Sequence, residues 1–363
     1  MKETMAAGLF RCTTKKLNIQ DKQTIQTVIG WLAETPGPAY PEPIQCYFDH
    51  YGLDWPGIRH RFGWFSSGGL KLAGHLWMPS ACKALVIVLH GYMNHTGQMK
   101  HLIAGLLDDD FAVGAFDLPG HGLSEGHQAA AGALKDYTQA LGDFVKEIKQ
   151  ILDAESCVLK PRGLRAGLSF YSAPGQPPAD SSVKVHLVGF STGATVGLDS
   201  LISGSDDPFD KVVLAAPLIR WRGYTISKAT YAFYRTFTDR VPRLPQANSS
   251  DPDFLHFNRY CDPLHIPVVS LDWVKSIFDW NDRLTRIQPS QKELFILQGD
   301  RDTTVDWRYN IQLLRDKFPA AQIEILPAAK HELLNEAAVL RDQCIAKVID
   351  YLSSEPANAC RSR

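Results

Sequence analysis

Five residues at 189–193, GFSTG, set a serine between two glycines, directly after an apolar β-branched run (183–188) and before an apolar stretch of helical character. G-x-S-x-G at a strand-to-helix turn is the signature of a nucleophile elbow. The turn is sharp, so its flanks must be small. It lifts the serine hydroxyl to the N-terminus of the following helix, where the N–H of Thr192 would meet a developing oxyanion. The plainer reading is a glycine-rich loop. A serine hydroxyl at neutral pH needs a base, and the base needs an acid to orient it. At such an elbow the acid and then the histidine follow in the chain. After Ser191 the histidines are His256, His265 and His331. The first two fall in a long aromatic-rich segment, whereas His331 follows a β-like run and opens onto a helical pattern. For the acid, GDRDTTVD (299–306) follows the run 293–298 and offers Asp302, with Asp300 as the alternative.

Two further blocks support this chemistry. HGYMNH (90–95) follows the run 84–90. A glycine there lets the backbone turn inward, making the N–H of Tyr92 a second oxyanion donor. DLPGHGLSEG (117–126) is a glycine-rich loop at the C-terminal edge of a strand, where open α/β sheets bind ligands. Its His121 reads as a structural histidine rather than a catalyst. His90, His95 and His101 lack the spacing of metal ligands on one helix face. No GxGxxG or GxxxxGK[ST] occurs, which removes the usual dinucleotide and P-loop readings.

Those residues must be held by a frame, and the frame is legible as alternating short strands and longer helices, the pattern of βαβ units on a largely parallel sheet. Strands are expected at 61–66, 70–78, 84–90, 111–117, 183–188, 211–216, 293–298 and 322–326. The first two form an antiparallel hairpin turning at Ser67, Gly68 and Gly69. Leu134, Tyr137, Leu141, Phe144, Ile148 and Ile151 make one helical stripe over 134–154. Helices are also expected after Thr192, Asp306 and His331. The organisation expected is an N-terminal extension (1–58), a core in two parts (59–217 and 291–363), a polar surface insertion at 155–182 and a helical cap at 218–290. The proline-rich piece 36–43 is expected to be extended.

The 363 residues are 45% hydrophobic and 21% charged with a net charge of −1, the balance of a chain that buries a substantial core. Nothing in that charge recruits nucleic acid. The apolar runs are far shorter than the roughly 20 residues of a membrane span, and the N-terminus lacks the apolar stretch of a secretory signal. Seven scattered cysteines without a CxxC pair argue against a disulfide framework or a thiolate zinc site and favour a cytoplasmic location.

Taken together, HGYMNH, DLPGHGLSEG, GFSTG, GDRD (299–302) and HELLNE (331–336) resemble the ordered blocks of the monoglyceride-lipase and lysophospholipase-like branch of the α/β-hydrolases, of the serine aminopeptidase S33 type. The resemblance covers roughly residues 60–352. It implies the α/β-hydrolase fold with a sheet of about eight strands and a helical cap. Carried over position by position, it implies Ser191 as nucleophile, Asp302 as acid, His331 as base, and backbone donors at Tyr92 and Thr192. The choice of Asp302 over Asp300 rests mainly on this match. The chain departs from the pattern at Phe190 and Thr192, where His and Met are commoner, and at Ala194, where Gly is usual. Those departures bear on the substrate.

The expected reaction is hydrolysis of a carboxylic ester through an acyl-serine, with no metal or organic cofactor. The cap is aromatic-rich. Ile226, Ala229, Phe233, Phe237 and Val241 follow helical spacing, with Arg222, Lys228, Arg235 and Arg240 nearby. Phe233, Phe237 and Trp273 are the expected contacts for an acyl chain, so the substrate would be a monoacylglycerol, a lysophospholipid or another small or single-chain ester, met by transient contact of the cap with a membrane surface. A second enzyme reading is an aminopeptidase, amidase or thioesterase on the same triad. For an aminopeptidase, Asp272, Asp279 or Asp282 would hold a substrate amine. A binding protein on a retired hydrolase fold would show a lost triad member, and none is lost.

Overall fold

All eight expected runs pair into one sheet in the computed structural model, which describes residues 19–32, 40–130, 133–154, 183–203 and 207–355. The strands are β1 (Arg59–Ser67), β2 (Leu70–Met78), β3 (Leu85–Leu89), β4 (Ala112–Phe116), β5 (Val185–Phe190), β6 (Lys211–Ala215), β9 (Phe295–Gly299) and β10 (Gln322–Leu326), with β7 (Arg240–Pro242) and β8 (Val268–Ser270) forming a separate ribbon. The sheet order is β1-β2-β4-β3-β5-β6-β9-β10. β1 and β2 make the antiparallel hairpin, β2 pairs antiparallel with β4, and every other pairing is parallel. β3, β4 and β5 are buried along their whole length. Burial on both faces is why these strands read as continuous apolar runs instead of alternating ones.

Helices α3 (Lys100–Asp108), α4 (Leu134–Ala154), α5 (Thr192–Ser203), α9 (Trp307–Lys317) and α10 (Ala338–Ser353) cover the sheet. The α4 stripe is the expected one: Leu134, Tyr137, Leu141, Phe144, Ile148 and Ile151 are all buried. Apolar clusters fill both faces, one under α4 and α5, the other under α3 and α10. Asp306 caps α9 by accepting from the Tyr309 amide.

The N-terminal segment is more structured than its composition suggests. It contains α1 (Ile19–Val28) and α2 (Glu42–Tyr51). The expectation of an extended proline-rich piece fails at its end, where Pro41 is the N-cap of α2 and Pro43 lies in the first turn. Proline is tolerated there because the first helical N–H groups have no intrahelical partner anyway. Tyr47 and Phe48 of α2 pack on Phe62 of β1, and Leu32 and Gly30 exchange backbone hydrogen bonds with Trp64. This segment therefore lines the β1 edge of the sheet. The polar insertion expected at 155–182 lies outside the described residues.

Between β6 and β9 run α6 (Tyr224–Arg235), β7, α7 (Pro252–His256) with a π-helical turn at Phe257–Cys261, β8 and α8 (Leu271–Leu284). The segment is mainly helical, as expected, but the β7–β8 ribbon was not foreseen, since three-residue strands are too short to show a period. Val241 thus lies on a strand and not on the helix stripe assigned to it. Cys46, Cys82 and Cys344 are free, whereas Cys261 is disulfide-bonded, which the scattered cysteine spacing gave no sign of. Among the described residues no helix is long and apolar enough to cross a membrane.

Candidate active site

The elbow forms where β5 runs into α5. Ser191 has φ 51, a left-handed conformation strained for a residue with a side chain. Its amide donates to the Ala215 carbonyl at 2.9 Å, while its own carbonyl accepts from Leu218 and Thr195. The backbone is thus held from the neighbouring strand. Gly193 is needed because a Cβ there would collide with the carbonyl oxygens of Leu89 and His90 at the end of β3.

His331 follows β10 in the turn before α10, and its Nε2 lies 3.0 Å from Ser191 Oγ. Its Nδ1 lies 2.7 Å from Asp302 Oδ2. Asp302 follows β9 and is fixed on every side: Oδ1 accepts from the Thr304 and Val305 amides at 2.8 and 3.1 Å, and Oδ2 also accepts from Gln298 Nε2 at 3.0 Å. Asp300 is instead exposed and accepts from the Ala328 amide at 2.8 Å. Burial alone would raise the Asp302 pKa, but His331 and the hydrogen bonds outweigh it and hold the carboxyl below its ordinary value. Burial would lower the His331 pKa, and the Asp302 carboxylate outweighs it, so the imidazole sits above 6.5.

The loop after β3 comes up against the elbow. A Cβ on Gly91 would meet the Phe190 ring at 3.0 Å and Ser191 Cβ at 3.2 Å, so any side chain here would push the loop or the ring back by a few tenths of an ångström. His90 fixes the loop from below, with Nδ1 on the Gly91 carbonyl at 2.8 Å and Nε2 accepting from the Leu118 amide at 2.9 Å. The amides of Tyr92 and Thr192, on this loop and at the first residue of α5, make no intramolecular hydrogen bond among the described residues. His121 is buried and hydrogen-bonds the Pro119 carbonyl; burial pushes its pKa down to about 3. It has no contact with the Ser191–His331 pair.

The three expected acyl-chain contacts separate. Trp273 on α8 is buried and stacks on Tyr92 at 3.6 Å between centroids, 7° between planes. Phe233 and Phe237 point outward, 65% and 77% exposed, and touch each other at 5.1 Å. Ile226 joins them on the exposed face. Three of the four nearby cations lie by acids: Lys228 pairs with Asp282, Arg235 with Asp272, and Arg240 sits 3.9 Å from Asp239, while Arg222 is exposed. The same pairs occupy two of the acids considered for holding a substrate amine, and the third, Asp279, is paired with Lys275. His256 and His265, the other histidines after Ser191, lie in the segment between β6 and β9, and it is His331 that meets Ser191 Oγ. Sequence reasoning missed Gln298, whose amide braces the acid, and Asp262, which grips the Tyr92 loop; neither lies in a recognisable motif.

The serine aminopeptidase, S33 family model (Hydrolase_4) matches residues 80–159 and 175–338. The chain belongs to this family. A monoglyceride lipase homolog of monkeypox virus is 22% identical over 76% of this S33-family chain and 92% of its own length. A probable lysophospholipase L2 of Haemophilus influenzae is 23% identical over 78% and 89%. An abhydrolase domain-containing protein of Dictyostelium discoideum is 20% identical over 78% of this chain, which spans only 28% of that relative's length. Among solved structures, a soluble variant of the Saccharomyces cerevisiae monoglyceride lipase superposes with a TM-score of 0.64 at 16% identity, covering 81% of this chain and 94% of that one. The likeness to solved structures establishes the α/β-hydrolase fold. The matched region leaves out α1, α2, β1 and β2 and ends at the first residue of α10, and it contains Ser191, Asp302 and His331.

Proposed function

We propose that this protein is a serine hydrolase that cleaves carboxylic esters of single-chain lipids through an acyl-serine. The observation that carries the reading is the Ser191–His331–Asp302 relay at 3.0 and 2.7 Å. In it, His331 takes the Ser191 proton as the oxygen attacks the ester carbonyl, and returns it to the leaving alcohol. The Asp302 carboxylate holds the proton on Nδ1, leaving Nε2 to act as base. The Tyr92 and Thr192 amides receive the oxyanion; losing one such donor costs about 3 kcal/mol of barrier. Water activated by His331 then releases the acid.

The segment from about 218 to 290 acts as a cap over this site. Trp273 and the Tyr92 ring beneath it supply an apolar wall for the acyl chain, while Ile226, Phe233 and Phe237 form a face that rests on a lipid surface. With Lys228 and Arg235 already paired to acids, this face binds mainly by apolar contact. The amine-recognising reading is disfavoured by the same ion pairs. Monoglyceride lipase and lysophospholipase names among the relatives favour a glycerol-linked single-chain ester. Hydrolysis rates on p-nitrophenyl esters from acetyl to decanoyl, beside an aminoacyl amide, test the reading. It expects kcat/KM to rise with chain length and the amide to be untouched; a flat profile, or faster cleavage of the amide, overturns it.

A further inference from the structure

Asp262 lies in the segment between β6 and β9, yet its carboxylate is spent on the loop that follows β3. One oxygen, Oδ2, meets His95 Nε2 at 3.0 Å and accepts from Gln98 Nε2 at 2.7 Å. The other, Oδ1, accepts from the Tyr51 hydroxyl of α2 at 2.7 Å and from the Leu264 amide at 2.9 Å. His95 and Asp262 side chains are 1% and 0% exposed. His95 Nδ1 accepts from the Gly97 amide, which leaves the ring proton on Nε2, directed at the carboxylate. Burial alone would raise the Asp262 pKa, but His95 and these hydrogen bonds bring it down to about 2, so the group is an anion with its acceptor sites filled.

The loop so gripped is also braced within itself, and Tyr92 ties it outward through the Trp273 stack and the Ala129 and Ser270 hydrogen bonds. The Asn94 amide donates to the Gly91 carbonyl, Asn94 Nδ2 to Gln98 Oε1, and the Gln98 amide to the His95 carbonyl. It is a small rigid unit spanning 91–98, and the Tyr92 amide rides on it three residues from His95. Asp117 holds its far end through the Thr96 amide. The Tyr92 ring anchors one side of this unit against Trp273, Gly91 sets it against Ser191, and Asp262 is the charged anchor that fixes its other side. An oxyanion donor works only when aimed at the transition-state oxygen, so a small rotation of this unit costs rate.

We propose that Asp262, reached by His95, Gln98 and Tyr51, is a positioning residue that aims the Tyr92 amide, so that α2 and the capping segment are parts of the catalytic apparatus. The proposal rests on the serine-hydrolase reading. It explains why the loop's two long polar side chains both end on one buried carboxylate from a segment 164 to 167 residues away.

The test uses the full chain, a p-nitrophenyl ester, and a trifluoromethyl ketone, which adds to the serine and leaves an oxyanion on the adduct. Asp262→Asn keeps the shape and removes the charge; Tyr51→Phe removes a single hydrogen bond. Active sites are counted by fluorophosphonate labelling run to completion. Expected for Asp262→Asn is a fall in kcat per labelled site of tenfold or more with KM within about twofold, and a matching loss of ketone affinity. Tyr51→Phe should give about a threefold fall of the same kind, and it decides alone if Asp262→Asn does not fold. A purely structural role would lower the number of labelled sites while leaving kcat per site and ketone affinity unchanged, and that result overturns the proposal. Failure of wild type to take the label would sink the hydrolase reading itself, before any variant is compared.

Discussion

The Tyr92 ring lies flat against the Trp273 indole, centroids 3.6 Å apart and planes within 7°. Tyr92 also donates its hydroxyl proton to the Ala129 carbonyl at 2.8 Å and accepts from the Ser270 amide at 3.0 Å. One residue therefore joins the loop after β3 to the β7–β8 ribbon and to α8. In the proposed mechanism this would tie acyl-chain contact to the aim of the Tyr92 amide.

Replacing Trp273 by Ala removes the buried half of that stack. We expect a loss of about 3 kcal/mol in stability, the usual scale for deleting a buried aromatic, read from urea unfolding. The preference for long over short p-nitrophenyl esters should shrink. An unchanged chain-length profile in a folded variant would separate Trp273 from the acyl pocket.

Gly91→Ala should lower kcat at least tenfold while leaving the fold intact, because the new methyl would press on the Phe190 ring and on Ser191 Cβ, 3.0 and 3.2 Å away. Stopped-flow acylation with a p-nitrophenyl ester checks this. A normal acylation rate would show that the loop has room to retreat without moving its amides.

The rate should depend on pH through His331. The imidazole is a base only when neutral, and its pKa is raised by Asp302, so kcat/KM falls on acidification with a midpoint above 6.5. Asp302→Asn should move that midpoint down and cut kcat by about four orders of magnitude, since the wrong tautomer is then favoured. A wild-type midpoint well below 6.5 would contradict the assignment.

Stability should weaken in acid for a different reason. Burial lowers the pKa of His90, His101 and His121 to about 3 and of His186 to about 4. The unfolded chain takes up those protons near 6.5 and the folded one does not. The stabilisation is therefore complete above about pH 6.5 and is lost as pH falls toward 4, by up to about 1.4 kcal/mol per pH unit for each group. His95 and His331, with their pKa values raised, act in the opposite sense but are outnumbered. Urea midpoints at pH 7 and pH 5 measure this; equal midpoints would contradict it.

The candidate site was legible because the residues brought together in it lie in local motifs. A serine between glycines, an HG turn and a histidine after the last strand each sit in a short motif at a strand end, and apolar runs mark those strands. Asp302 needed the resemblance, since Asp300 has the same local signal; burial and the contact with His331, which only the fold reveals, separate them. Asp262 and Gln298 were invisible because their partners are distant in the chain. The outward direction of Phe233 and Phe237 was not legible either, as an apolar stripe marks a face but not what lies against it. Nor could composition reveal that Tyr47 and Tyr51 lie buried in the core, because a tyrosine in an extension reads the same whether packed or free.

The central claim is that Ser191 is an activated nucleophile. Incubating wild type and Ser191→Ala with a fluorophosphonate probe, and locating the label by peptide mass spectrometry, tests it most directly. The account predicts one label per wild-type chain, on the peptide carrying Ser191, and none on the folded variant. An unlabelled wild type, or a label that persists on Ser191→Ala, would contradict it.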